Sequence, residues 1–177
     1  MKRTLPIGVS YPRSVYEVVT DFNRRLRDGK LSYRPIPTGF MPLDTYLGGG
    51  LQAEDLVLLG GPQGVGKTVA VLQMARNIAR AGRATIVVCF EHSEVYLYHR
   101  LMGLESIDPT DERPQGMTRA ALRDAVLQAL EAGIEQHLGL DWVLTQVPGA
   151  QKAWDNLLPY WSHLYLVRGG ASRPRAP

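Results

Sequence analysis

Residues 55–68 read DLVLLGGPQGVGKT. The stretch begins with a continuous apolar run, residues 56–59, bounded by Asp55 and Gly60, and such a run predicts a short strand buried on both faces. A glycine-rich loop follows, and residues 67–81 then show a helical repeat. The predicted apolar face of that helix consists of Val71, Met74, Ala75 and Ile78. We therefore expect a strand, a loop and a helix in direct succession.

A second apolar run lies directly beyond that helix. Residues 84–90 read ATIVVCF and predict a second buried strand. Two strands joined by one helix form a parallel unit with a right-handed crossover. The sequence therefore predicts an α/β fold, in which a parallel sheet is flanked by helices.

A separate helical pattern occurs near the N-terminus, in residues 14–28. Ser14 occupies the N-cap position, Glu17 is its capping-box partner three residues later, and Gly29 is placed to stop the helix. The apolar face of this helix must cover another surface. We therefore expect residues 1–37 to form a linker or docking helix.

Further elements are predicted on both sides of the second apolar run. Helical segments are expected at residues 93–102, 118–138 and around Trp154 to Trp161, and Gly139 is placed to end the second of them. Residues 38–51 are expected to form a loop with at most one helical turn, at residues 42–47. Residues 164–167 predict a third strand, and the tail that follows has a composition typical of disorder. We expect residues 38–168 to form one domain and residues 169–177 to form a disordered tail.

Composition excludes several classes of protein. The single cysteine, Cys89, rules out an internal disulfide framework and a multi-cysteine zinc site, and fits a reducing compartment. No apolar run approaches the length of a membrane span, so we expect a cytoplasmic protein. A formal charge of +3 is compatible with a polyanionic partner such as DNA but does not require one.

The glycine-rich loop has a specific chemical pattern. Residues 61–68, GPQGVGKT, match GxxxxGK(S/T) at every fixed position, and the loop lies between a predicted strand and a predicted helix. The glycines let backbone N–H groups surround phosphates, Lys67 reaches the β and γ phosphates, and the Thr68 hydroxyl is a ligand for Mg²⁺. We therefore predict binding of ATP, or a close relative, with Mg²⁺. The expected contacts are Gly61, Pro62, Gln63, Gly64, Val65, Gly66, Lys67, Thr68 and Val69.

Hydrolysis would need a carboxylate to activate water and a second acid near the metal. Glu91 comes just past the second predicted strand, where ligands bind in open α/β sheets, and is the candidate catalytic base. The alternative is that Glu91 only caps the following helix. Neither Asp141 nor Asp155 follows an apolar strand, so the second acid is not identified and enzymatic activity stays open.

Three segments resemble a known family. TGFMPLDTYLGGGL at residues 38–51, DLVLLGGPQGVGKTVAVLQMARNIA at 55–79 and VVCFEHSEVYLYHRLMG at 87–103 resemble the RecA-like ATPase core of DnaB-type hexameric helicases. This resemblance implies a ring with ATP between subunits, Glu91 as catalytic base, and ATP hydrolysis coupled to DNA unwinding. In that family the Walker B aspartate, the arginine finger and the DNA-binding loops follow further downstream, and we expect this chain to stop before them.

Two other interpretations remain open. Similar sequences occur in the RadA and KaiC groups of ATPases, which implies a switch or a recombination accessory without strand separation. A nucleotide-binding fragment that hydrolyses nothing is the third possibility. A partial sheet would also expose an edge, so we expect association with a partner.

Overall fold

The computed structural model describes residues 12–30, 34–108, 110, 116–131 and 139–170. These residues fall into two compact units, one within residues 1–35 and the other within residues 36–177. Of the predicted disordered tail, residues 169–177, residues 171–177 lie outside the described residues.

In the first unit, the described residues form one helix, α1, Val15–Arg27. The Ser14 hydroxyl accepts a hydrogen bond from the Glu17 backbone N–H (3.2 Å), and the Glu17 carboxylate accepts one from the Ser14 backbone N–H (2.7 Å). The predicted capping box is confirmed. Gly29 follows the C-cap with a φ of 63°, a left-handed conformation that ends the helix as predicted.

The second unit alternates helices with two strands. Its elements, in chain order, are α2 Met41–Tyr46, α3 Lys67–Arg80, β1 Thr85–Cys89, α4 Glu94–Glu105, α5 Arg119–Glu131, α6 Gly139–Gln146, α7 Ala150–Leu157 and β2 Leu164–Arg168. A short 3₁₀ turn, Trp161–His163, leads into β2. The helices predicted at α3, α4, α5 and α7 and the strands predicted at β1 and β2 are confirmed. Helix α2 has six residues, somewhat more than the single turn predicted there.

The sheet in the described part of the chain consists of β1 and β2, which run parallel with Val87 opposite Leu166. The predicted strand at residues 56–59 is wrong, because these residues are not in a strand and their side chains are 48–87% exposed. The predicted parallel pairing between this run and the second strand is wrong for the same reason. A strand needs a hydrogen-bonding neighbour, and β1 instead pairs with the segment that comes 75 residues after its last residue, beginning at Leu164.

Helix α3 packs against β1 and α4, and α4 also packs against α7. The buried positions of α3 are Leu72, Ala75 and Ala79, whereas Val71 is 43% exposed. The apolar face predicted from the sequence was therefore rotated by about one residue. A helix with many small apolar residues offers more than one plausible face, and the packing partners decide which one is buried.

The region after α4 differs from its prediction. Helix α5 is observed to Glu131, and residues 132–138 lie outside the described residues. Gly139, predicted to end a helix, is instead the first residue of α6. Helix α7 ends at Leu157, so Trp161 belongs to the 3₁₀ turn and not to the predicted helix.

A tight loop, residues 36–51, precedes the glycine-rich region. Its ends meet in an antiparallel bridge between Ile36 and Leu51. The buried carboxylate of Asp44 accepts hydrogen bonds from the backbone N–H (2.8 Å) and hydroxyl (2.7 Å) of Thr38, and from the backbone N–H of Gly39 (3.0 Å). These bonds make the loop a compact support beside α3.

Candidate functional site

The glycine-rich loop, residues 61–68, leads directly into α3. Gly64 and Gly66 have φ values of 82° and 92°, which are left-handed conformations that glycine adopts without strain. Gly66 is the N-cap of α3, no side chain caps this end, and the first turn contains no acidic residue. The first backbone N–H groups of α3 are therefore available to an anion, and the positive end of the helix dipole favours one there.

Lys67 folds back over the loop. Its ammonium group donates hydrogen bonds to the carbonyl oxygens of Gly61 (2.8 Å) and Pro62 (2.7 Å). A cation held by two carbonyl oxygens at the mouth of an exposed loop can exchange them for phosphate oxygens at little cost. The loop therefore positions its only lysine where a phosphate would meet it.

The other loop residues leave space for a ligand. Thr68 is exposed in the first turn of α3, and Val69 is half-buried beside it. A Cβ added to Gly61 would lie 3.1 Å from Cγ2 of Val65, so a side chain at this position would crowd the loop. The glycine backbone, the uncapped helix end, Lys67 and Thr68 together fit a triphosphate with Mg²⁺.

Glu91 lies two residues after the end of β1, and its side chain is 82% exposed. The hydroxyl of Ser93 accepts the backbone N–H of Tyr96 (3.2 Å), so Ser93 is the N-cap of α4. The interpretation that Glu91 caps this helix is therefore wrong. His92 lies beside Glu91, with its Nε2 4.0 Å from a Glu91 carboxylate oxygen, and stacks on the Tyr96 ring.

Glu94 has a structural contact that Glu91 lacks. Its carboxylate accepts a hydrogen bond from the backbone N–H of Arg168 (3.0 Å), which ties the start of α4 to the end of β2. The backbone N–H of Glu94 itself, then that of Arg168 and the charge of Arg168, hold the pKa of Glu94 below its usual value. Glu94 thus stabilises the fold, whereas the exposed Glu91 carboxylate has its ion-pair contact with the neighbouring His92.

A cleft of about 350 Å³ lies between α3 and α4, next to the first turn of α3. Its walls include Val69 and Leu72 on one side and Arg100 on the other, and Arg119 also lines it. Arg100 donates to the Tyr96 hydroxyl (2.9 Å), and the Arg119 guanidinium lies 4.5 Å from the centre of the Tyr96 ring. The cleft therefore combines apolar walls with two cations.

Sequence reasoning missed this cleft, because its residues come from α3, α4 and the start of α5. Half-buried His99 also lines it, and burial, followed by the charge of Arg119, lowers the pKa of that imidazole. A clue existed in the spacing of Tyr96 and Arg100, which are four residues apart and so share one helix face. Arg119 is distant in sequence and gave no such signal.

The candidates for a second acid are not at strand ends. Asp141 lies in the first turn of α6, and Asp155 in α7 accepts a hydrogen bond from Gln151 (3.0 Å). Of the two strands in the described part of the chain, β1 is followed by Glu91 and β2 ends at Arg168. No helix among the described residues is long and apolar enough to cross a bilayer.

Comparison with known proteins identifies relatives that share parts of the chain. DNA repair protein RadA of Campylobacter jejuni is 42% identical over 67 residues, which are 38% of this chain and 15% of that protein. RadA of Mycobacterium tuberculosis is 43% identical over 60 residues, 34% of this chain and 12% of its own length. Protein RecA of Thermus thermophilus is 31% identical over 117 residues, 66% of this chain and 34% of RecA.

The chain therefore spans about a seventh of the length of these RadA proteins and about a third of RecA. No solved structure matches it significantly. The family model described as "DnaB-like helicase C terminal domain" matches residues 35–147, well over half of the chain. The chain belongs to this DnaB-like family, and its described residues form part of a RecA-like α/β ATPase core.

Proposed function

We propose that this RecA-like ATPase domain binds ATP with Mg²⁺, and that residues 61–69 hold the phosphates. The observation that carries the proposal is the position of Lys67, whose ammonium group lies over the loop on the carbonyl oxygens of Gly61 and Pro62. The uncapped N-terminus of α3 supports the same conclusion, because its N–H groups have no competing side-chain acceptor.

In the proposed complex, Lys67 exchanges its two carbonyl partners for oxygens of the β and γ phosphates. Backbone N–H groups of the loop and of the first turn of α3 donate to the remaining phosphate oxygens. The Thr68 hydroxyl is the proposed protein ligand of Mg²⁺, which would neutralise charge on the β and γ phosphates. The cleft between α3 and α4 lies beside Val69, and its apolar walls suit the nucleoside base.

For hydrolysis we assign Glu91 the role of general base. Its exposure and its position past the end of β1 support this assignment, because Ser93 and Glu94 perform the capping and anchoring that would otherwise occupy it. The carboxylate would accept a proton from the attacking water. Because the strand ends of the described residues provide no second acid, a neighbouring chain or segment would have to contribute it.

Membership of the DnaB-like family supports a proposal for the larger activity. We propose that the domain works in a homo-oligomeric ring, with residues 1–37 docking on a neighbour, and couples ATP hydrolysis to unwinding of DNA. The exposed apolar residues of α1, including Val15, Val19 and Leu26, support a docking role. A RadA-like role without strand separation is the second candidate, favoured by the identity of 42–43% over 60–67 residues.

Nucleotide binding is tested by titrating the purified chain with a slowly hydrolysed ATP analogue in Mg²⁺. Wild type and Lys152→Ala should bind alike, because Lys152 forms an ion pair with Asp108, a residue outside the glycine-rich loop. Lys67→Ala should lose binding by at least about tenfold, since a charge-assisted contact to phosphate disappears. Equal binding by Lys67→Ala and wild type would refute the proposal.

Phosphate release with ATP then separates the functions. Release that rises when single-stranded DNA is added supports a helicase-type or recombination-type motor, and a strand-displacement assay distinguishes these two. Binding without any release, with and without DNA, supports the non-hydrolysing interpretation.

A further inference from the structure

Glu105 is the last residue of α4, and its side chain is 1% exposed. Both carboxylate oxygens are occupied. The Arg76 guanidinium donates to both of them, with Nη2 2.9 Å from Oε2, and the Tyr160 hydroxyl donates to Oε1. Burying a carboxylate costs desolvation free energy unless its lone pairs accept hydrogen bonds, and here each oxygen has a charged or hydroxyl donor.

The partners of Glu105 come from three parts of the fold. Arg76 belongs to α3, Tyr160 follows α7, and the backbone carbonyl of Glu105 accepts the Asn156 side-chain amide of α7 (2.9 Å). Arg80, one turn after Arg76, brings a second guanidinium to 3.8 Å from the carboxylate. One acidic side chain thus links α3, α4 and the α7 region.

Two partners of Glu105 have shifted pKa values. The hydrogen bond to Glu105 raises the pKa of Arg76, outweighing its burial. Burial, together with the hydrogen bond to Glu105, raises the pKa of Tyr160, so its hydroxyl remains a donor. The two parallel hydrogen bonds from the Arg76 guanidinium to Glu105 fix both the orientation and the separation of α3 and α4.

The network adjoins residues that line the cleft between α3 and α4. Leu72 in the cleft wall and Arg76 are four residues apart, so they share one face of α3. Gly103 and Leu104 line the opposite wall and directly precede Glu105. The bidentate contact between Arg76 and Glu105 thus joins the two helices that form these walls, about 14 Å along α3 from Lys67.

We propose that Glu105 is a positioning residue that sets the width of the cleft for the nucleoside base through Arg76. This inference rests on the proposed binding of ATP. The glycine-rich loop holds the triphosphate by its own backbone and Lys67, so the phosphate contacts do not depend on Glu105. Contacts to the base depend on the separation of α3 and α4, and Glu105 controls that separation.

The test compares two ligands, a slowly hydrolysed ATP analogue and inorganic tripolyphosphate, each with Mg²⁺. The main variant is Arg76→Met with Glu105→Leu, because replacing a buried ion pair by apolar residues of similar volume commonly preserves stability. We expect this double variant to bind the ATP analogue about tenfold more weakly and tripolyphosphate unchanged. Lys152→Ala, which breaks the exposed ion pair to Asp108 just beyond α4, is the control and should bind both ligands like wild type.

Thermal unfolding of each variant shows whether the fold persists. If the double variant does not fold, Arg76→Lys replaces it, since lysine keeps the charge but loses the bidentate fork. Arg76→Lys should then also bind the ATP analogue more weakly and tripolyphosphate unchanged, with a smaller loss of affinity than in the double variant.

Two outcomes overturn the inference. Unchanged binding of both ligands would mean that Glu105 only stabilises the fold, and an equal loss of both would mean a general loosening. Failure of wild type to bind the ATP analogue would instead refute the proposed function itself, so the two failures are distinguishable.

Discussion

The side-chain amide of Asn77 donates a hydrogen bond to the backbone carbonyl of Thr38 (2.9 Å), which fastens the 36–51 loop to the last turn of α3. Thr38 is fully buried, and its N–H and hydroxyl both donate to Asp44. Helix α3, which begins at Lys67, is therefore stabilised by the 36–51 loop, which ends 16 residues before Lys67 in sequence. This contact leads to the first two predictions.

Gly39→Ala should destabilise the second unit more than Gly48→Ala. Both glycines have positive φ, 81° and 67°, so each alanine costs about 1–2 kcal/mol of backbone strain. A Cβ at Gly39 would also lie 2.3 Å from the Asn77 amide nitrogen, whereas one at Gly48 meets nothing within 4 Å. Displacing Asn77 removes its bond to Thr38, an added cost of about 1 kcal/mol. Urea denaturation measures the difference, which should shrink when both alanines are tested in an Asn77→Ala background.

Acid should destabilise the wild type through Asp44. Burial alone would raise the pKa of this carboxyl, but the three hydrogen bonds from Thr38 and Gly39 outweigh it and lower the pKa below 3.8. A depressed folded-state pKa contributes stability that is fully present above the unfolded value and is lost as the pH falls through the folded value.

The melting temperature of the wild type should therefore fall below about pH 4 more steeply than that of Asp44→Asn. Asp44→Asn should already be less stable at pH 7, because the amide accepts fewer hydrogen bonds. If the melting temperatures of the two proteins fell in parallel from pH 7 to pH 3, the assignment of this pH dependence to Asp44 would be contradicted.

Thr68→Ala should remove the effect of Mg²⁺ on nucleotide binding. The affinity of the variant for an ATP analogue in Mg²⁺ should approach the affinity that the wild type shows in a chelator. Thr45→Ala is the matched control, because the Thr45 hydroxyl bonds only to the Met41 carbonyl within α2 (2.9 Å). A full Mg²⁺ effect in Thr68→Ala would show that another group holds the metal.

Glu91→Gln should separate binding from hydrolysis. With the side chain 82% exposed, the change should leave thermal stability and nucleotide affinity unaltered. Phosphate release by an active assembly should fall about 10²- to 10⁴-fold, the usual contribution of a general base. Glu94→Gln should have the opposite effects. Its phosphate release should persist, but its thermal stability should be lower, because the carboxylate that anchors Arg168 is lost. Release that persists in Glu91→Gln would assign the base elsewhere.

Local features were readable from the sequence because their causes lie within a few residues. The capping box of Ser14 and Glu17, the glycine-rich loop and the start of α3 at Lys67 all depend on neighbours in the chain. The strand at Leu164–Arg168 was also readable from its apolar run. The chemical pattern of residues 61–68 was sufficient to predict which ligand to look for.

Only the tertiary structure decided which of these pieces meet. The run at residues 56–59 has the composition of a buried strand yet is exposed, while β1 pairs with β2 far downstream. The cleft beside Val69 and the contact between Arg76 and Glu105 also join residues that are distant in sequence. Burial and strand pairing depend on neighbours brought together by packing, and no local pattern of residues specifies those neighbours.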